Sequence, residues 1–142
     1  MHKRVLGIDY GSARIGVAVS DPLRLIARAL TVIRNSPSAA GEIGRLAEEQ
    51  DADTIVVGMP LTLSGAKGQK AGEVERFIAS LREATGCRIV TVDERFTSSI
   101  ASETLRAMGT TKKARREKGT VDAMAAALIA QSFLDRERGE RR

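Results

Sequence analysis

KRVLGIDYGSARIGVAVS, residues 3–20, decides how this chain folds. Val5, Leu6 and Ile8 form an apolar run that ends at Asp9, and Gly11-Ser12-Ala13 supplies a tight turn. Residues 14–20 return as a second apolar run, which Asp21-Pro22 breaks. Two such runs about a short glycine-containing turn read as a β-hairpin. Residues 28–34 read as a third strand, so the chain opens with an antiparallel meander.

Beyond the meander the apolar period changes. Ser36-Pro37 reads as a helix start, with Ser as cap and Pro at the first helical position. That helix runs to about Gln50, with Ile43, Leu46 and Ala47 on one face. Residues 54–58 (TIVVG) are short and continuously apolar, as expected of a strand buried on both sides. Residues 59–70 (MPLTLSGAKGQK) read as a loop. Val74, Phe77, Ile78 and Leu81 keep the i, i+3, i+4, i+7 spacing of an amphipathic helix that Gly86 ends. Residues 88–92 form a fifth strand. Ile100, Thr104, Leu105 and Met108 stripe a further helix closed by Gly109, and a last helix spans about Thr120 to Leu134. Strands alternating with helices add to a sheet in parallel. The expected fold is α/β: a five-stranded mixed sheet, the antiparallel β1-β2-β3 meander plus parallel strands, with helices on both faces. Residues 1–136 read as a single domain and 137–142 as a flexible tail.

Composition narrows the class. A chain of 142 residues can build one core without staples. It has no Trp, one Tyr and three Phe, so that core must be aliphatic. The single Cys87 excludes an intrachain disulfide and a cysteine-based zinc site, and reads as an apolar filler beside Ile89. No run approaches the roughly 18 apolar residues of a membrane span, and the opening MHKRVLGIDYG carries no signal-peptide core. A reducing, cytoplasmic setting is expected. The net charge of +5 is unevenly placed. Residues 1–111 hold 14 basic and 13 acidic side chains, whereas residues 112–142 hold 9 and 5. Lys112, Lys113, Arg115, Arg116 and Lys118 crowd one loop, which suits a polyanionic partner, although a basic run is also compatible with a merely solvated loop.

Three carboxylates stand where an aliphatic chain tolerates them least. Asp9 ends the first strand and Glu94 follows the fifth. Asp122 opens the most apolar stretch, Val121 to Leu134, in which Gln131 and Ser132 are the only other polar residues. A lone buried charge costs several kcal/mol, so such acids shift their pKa, pair, or hold a cation. The period-2 rule puts Asp9 on a face with Val5 and Gly7, and Glu94 on one with Val90 and Val92, while Asp93 points the opposite way. Asp122 falls in the first helical turn if Thr120 is the cap. Taken alone it reads as readily as an ordinary acid of that turn, and Asp93 as a strand-end acid or helix cap. Taken together, Asp9, Glu94 and Asp122 point to one shared cation site and a metal-dependent hydrolase. His2, the only histidine, is too near the terminus to be a convincing base.

GIDYGSARIGVAVSD, VVGMP, VDERFTS and GTVDAMAAALI resemble, in order and spacing, the YqgF/RuvX family of ribonuclease H-like nucleases. The resemblance covers about residues 3–134. Members of that family are assigned two roles, resolution of Holliday junctions and maturation of the 5′ end of the 16S ribosomal RNA precursor. The resemblance implies a ribonuclease H-like fold. It also implies that Asp9, Glu94 and Asp122 are the catalytic acids, each a ligand of Mg²⁺ or Mn²⁺. Two ions are expected, with Asp9 bridging them. The implied partner is nucleic acid, structured RNA or branched DNA, and the resemblance matches Arg14 to an arginine of the family's second motif. From local charge, Lys112, Lys113, Arg115, Arg116 and Lys118 are expected at its phosphates, with Arg14, Arg95 and Lys67 as second-tier contacts. With so few aromatic rings, recognition should rest on backbone and shape rather than on stacked bases. Processing of precursor 16S rRNA is the first expectation and junction resolution the second, by a monomer or weak homodimer without a membrane. GIDYGSARIGVAVS also resembles the phosphate loop of actin-like ATPases and sugar kinases, but 142 residues supply one of the two domains such a cleft needs. A non-catalytic nucleic-acid binder is the third reading.

The basic loop yields the first prediction. If its five cations each meet a phosphate, log affinity should fall against log salt with a slope of about −3.5 to −4.5 by counterion release. Binding titrations across salt, before and after charge reversal of the loop, measure this. A wild-type affinity indifferent to salt would remove the loop from the interface.

Overall fold

The computed structural model describes residues 3–61, 64, 67–94 and 118–140. Five strands form one sheet: β1 (Arg4–Tyr10), β2 (Arg14–Ser20), β3 (Ala27–Arg34), β4 (Ala52–Met59) and β5 (Arg88–Asp93). Their order is β3-β2-β1-β4-β5. β1 pairs antiparallel with β2, and β2 with β3, whereas β4 lies parallel to both β1 and β5. This is the mixed sheet expected from the sequence, with the meander on one side of β1 and the parallel strands on the other.

Alternation divides the sheet into two layers. Leu6, Ile8, Ile15, Val17, Val19, Ile55 and Val57 face α1 (Ala39–Glu49) and α2 (Gln69–Ala84) in the larger core cluster. Val5, Val56 and Val92 face α3 (Lys118–Glu140), where Ile129, Phe133 and Leu134 meet them. At roughly 25 cal/mol per Å² of buried apolar surface, these two layers supply the main driving force for folding.

The second layer depends on missing side chains. A Cβ placed on Gly7 would lie 2.5 Å from the Ala126 carbonyl oxygen, and one on Gly16 only 2.1 Å from that of Asp122. The backbone of α3 therefore rests directly on β1 and β2, with Ala123, Ala126 and Ala130 filling the seam. Gln131, polar within the apolar helix, completes the edge strand. Its Oε1 accepts from the Ala27 N–H at 2.9 Å, and its Nε2 donates to the Leu25 carbonyl at 3.0 Å.

A clamp closes the opposite end of the sheet. Arg24, in the left-handed region at φ 57°, donates to the Lys3 carbonyl at 2.8 Å and pairs with Asp53 and Glu137. Asp21 accepts from the N–H groups of Leu23, Leu25 and Ile26, which fixes the turn around it. These backbone donors hold the Asp21 carboxyl below the usual carboxylate range.

Several expected boundaries move. α1 begins at Ala39 after an Ser38 cap, not at Pro37. Ser36 and Pro37 instead open a turn closed by the Ala39 N–H on the Ser36 carbonyl at 3.0 Å, a position Pro also favours. α3 starts at Lys118, so Lys118 belongs to a helix rather than to a loop, and Thr120 is not its cap. Its end lies at Glu140, because Glu137 and Arg138 bind the β2–β3 turn. The tail expected from residue 137 is thus helical as far as Glu140. The helix expected around Ile100 to Met108 lies outside the described residues, as do Arg95, Lys112, Lys113, Arg115 and Arg116.

Two glycines test this packing. Gly16→Ala should lower unfolding free energy by about 1–3 kcal/mol or more, as overpacking against backbone does. Gly41→Ala, in α1 with nothing within 4 Å of its added Cβ, should raise it by about 0.5–1 kcal/mol. Urea unfolding of both variants measures the two shifts, and equal shifts would contradict direct seating of α3 on the sheet.

Candidate functional site

Asp9 lies at the carboxyl end of the central strand, opposite Gly16 of β2. Glu94 follows β5 directly, one residue past the Met59–Asp93 pair. Asp122 lies in the second turn of α3, because the helix begins at Lys118. All three point into the layer between the sheet and α3. Asp93 projects to the other side, into a 580 Å³ groove shared with Met59, Thr91, Ile78 and Arg82.

β4 separates Asp9 from Glu94. Neighbouring strands lie about 4.8 Å apart, so a side chain crossing from β5 to β1 must span about twice that distance. Gly58 makes the crossing possible. A Cβ there would fall 2.6 Å from Glu94 Oε1 and 2.9 Å from its Cγ. The Glu94 side chain lies over this bare stretch of β4 and reaches Asp9, to which it is hydrogen-bonded.

Such a pair resists holding two full charges. Burial pushes the Asp9 carboxyl up to about 7, with the nearby charges of Glu94 and Asp122 adding to the rise and that of Lys70 opposing it. Burial raises Glu94 as well, against the pull of Lys70 and its bond to Asp9. The bond raises Asp9 and lowers Glu94, so Asp9 is the acid pushed further from its ordinary range. Like charges forced together in a half-buried site behave in this way.

Asp122 is close enough for its charge to act on Asp9, yet its carboxylate pairs with Arg14, Oδ2 to Nε at 3.2 Å. Among the described residues, no three acid, histidine or cysteine side chains stand in a ready-made metal cage. The residues nonetheless fit a divalent cation. Their donors are all carboxylate oxygens, the choice of hard ions, and burial together with the charges of Glu94 and Asp122 raises the Asp9 carboxyl, a cost that a cation would relieve.

Two basic residues differ from expectation. Lys67 pairs with Glu75 at 2.7 Å and lines the groove on the α2 side, away from the acids. Lys70, in the first turn of α2, acts electrostatically on both Asp9 and Glu94. Sequence reasoning missed Lys70 because it assigned residues 59–70 to a loop. Only the early start of α2, at Gln69, aims it toward the site.

A family model for RuvX, described as Holliday junction resolvase, matches residues 3–136. A protein of Chlorobaculum tepidum, named as a proposed pre-16S rRNA nuclease, is 41% identical over 135 residues, 94% of each chain. A Salinibacter ruber protein of the same name is 44% identical over 137 residues, 94% of this chain and 93% of its own. In structure the chain is similar to Thermus thermophilus RuvC in complex with a Holliday junction, with a TM-score of 0.59, 20% identity and 96% of each chain covered. It is also similar to the fowlpox virus resolvase bound to junction DNA, with a TM-score of 0.56, 8% identity, and 94% and 98% covered. The fold is therefore ribonuclease H-like, as expected.

The raised Asp9 carboxyl yields a pH prediction. An acid with a raised folded pKa binds an extra proton in the folded state, so stability falls as pH rises from the unfolded to the folded value. For Asp9 that window runs from 3.8 to about 7, and the raised Glu94 adds in the same sense. In EDTA, the wild type should lose more stability than Asp9→Asn between about pH 5 and about pH 7.5. Parallel urea curves for the two proteins would show that no such proton is held.

Proposed function

The chain belongs to the RuvX family, and from that membership we propose that it is a divalent-metal-dependent endonuclease hydrolysing phosphodiester bonds in structured RNA. Its proposed substrate is the 5′ end of the precursor 16S ribosomal RNA in the cytoplasm. The observation that carries this reading is the carboxyl pair of Asp9 and Glu94, joined across Gly58 with Asp122 within electrostatic reach. The curated relatives, near 40% identical along almost the whole chain, carry the name of that activity. The family description favours a second reading, the resolution of four-way DNA junctions.

Asp9, Glu94 and Asp122 would hold Mg²⁺ or Mn²⁺, two ions in the fullest arrangement. A divalent ion bound there supplies charge neutralisation at the phosphate and a more acidic water. The remaining tasks belong to the chain. Asp9, central among the three on β1, would hold the cation through its carboxylate. Glu94, held over Gly58, presents its carboxylate from the β5 side, and Asp122 does so from α3. Lys70 stands on the α2 side as a cation for the approaching backbone phosphate. Arg14 does the same from β2, and Arg95 with the cluster from Lys112 to Lys118 extends the contact along the polyanion.

Cleavage of a precursor 16S rRNA fragment and of a four-way DNA junction, each with Mn²⁺, tests the reading. Asp9→Asn, Glu94→Gln and Asp122→Asn should each slow cleavage by roughly 100-fold or more, since loss of a mere outer partner of a metal ligand costs 10–100-fold. Preference for the RNA supports the processing role, and preference for the junction supports the second reading. Near-wild-type cleavage by Asp9→Asn would remove that residue from the centre.

A further inference from the structure

Asp122 has two possible partners and one backbone position. Its carbonyl oxygen stands where Gly16 leaves room for it, so the helix cannot slide there without colliding with β2. What remains to vary is the side chain, which has Arg14 on one side and the charge-coupled Asp9 on the other. In the structure it takes Arg14, at 3.2 Å.

We propose that Arg14 is a positioning residue that withholds Asp122 from the cation site until a nucleic-acid phosphate claims its guanidinium. The proposal rests on the metal-nuclease reading above and adds an order of assembly to it.

Three observations carry it. The ion pair is only partly buried, with side chains 44% and 28% exposed. Pairs of that kind are weak, and a doubly hydrogen-bonded phosphate is a stronger partner for Arg than a single contact through Nε. Arg14 also lies directly across from Arg34 in the β2–β3 register. Like charges set opposite each other are unfavourable, so the arrival of an anion at this corner is favoured. Finally, the Asp122 carbonyl is seated against Gly16, beside Asp9 in the β1–β2 register, and the Asp122 charge acts on Asp9, so its carboxylate stands on the side of the acid pair. Linkage is reciprocal: a phosphate that frees Asp122 tightens the cation, and the cation tightens the phosphate.

Mn²⁺ titrations followed by electron paramagnetic resonance, on the full chain without nucleic acid, test the idea. Wild type, Arg14→Gln, Asp122→Asn and the double variant form a cycle, with thermal unfolding as the check that each is folded. Arg14→Gln should bind Mn²⁺ about two- to fivefold more tightly than wild type, the scale of a part-exposed ion pair. That gain should vanish in the Asp122→Asn background. A short phosphorothioate RNA hairpin should tighten Mn²⁺ more in wild type than in Arg14→Gln. A gain that persists without Asp122 would reduce the effect of Arg14 to plain charge and overturn the proposal, as would unchanged or weaker binding in Arg14→Gln. In both cases the nuclease reading survives. Absence of Mn²⁺ binding by every folded variant would instead sink that reading, and the proposal with it.

Discussion

A helix backbone lying directly on a β-sheet is the constraint from which the rest of this molecule follows. Side chains ordinarily hold such layers apart. Here Gly7, Gly16 and Gly58 clear the face beneath α3, and any added Cβ would collide with the helix or with Glu94. The close approach brings Asp122 down to the carboxyl end of β1. The same bare surface lets Glu94 cross an intervening strand. The acidic site is therefore a property of what the sheet omits, as much as of the acids themselves.

Electrostatics then explains why such a site needs a partner. Three carboxylates share a half-buried layer, with Arg14 and Lys70 as the cations acting on them among the described residues. The deficit appears as an Asp9 carboxyl raised to about 7. Groups perturbed by burial and by each other gather at functional sites because chemistry uses the stored imbalance. The sheet and its helices are similar to those of resolvases only 8% and 20% identical to this chain. Scaffolds of that kind persist through great change in sequence, and function resides in the side chains they bring together.

Much of this was legible in the residues. Alternation put Asp9 with Val5 along β1, and Glu94 with Val92 and away from Asp93 along β5, because strand parity follows directly from counting; that Val5 and Val92 share one layer came from the structure. Strand positions in the meander were readable for the same reason, with Asp21-Pro22 marking where β2 stops. What the sequence concealed was long-range. The start of α3 at Lys118 moves Asp122 out of the first turn, away from the dipole advantage a Thr120 cap would have given it. The continuation of that helix past Leu134 depends on Arg24 and on the Leu25 carbonyl, more than a hundred residues away in the chain. Gln131 looked anomalous until β3 supplied its partners. Lys67 is taken by Glu75, a pairing that the loop-like stretch before α2 did not suggest.

The Arg24 clamp has a mechanical corollary. It ties the far end of α3, through Glu137, to the start of β1 and the edge of β4, while Gln131 staples the middle of the helix to β3. At the other end the Asp122 carbonyl is seated against Gly16. Held at both ends and stapled in its middle, α3 spreads any load along its length, and the backbone of Asp122 keeps its place above β2.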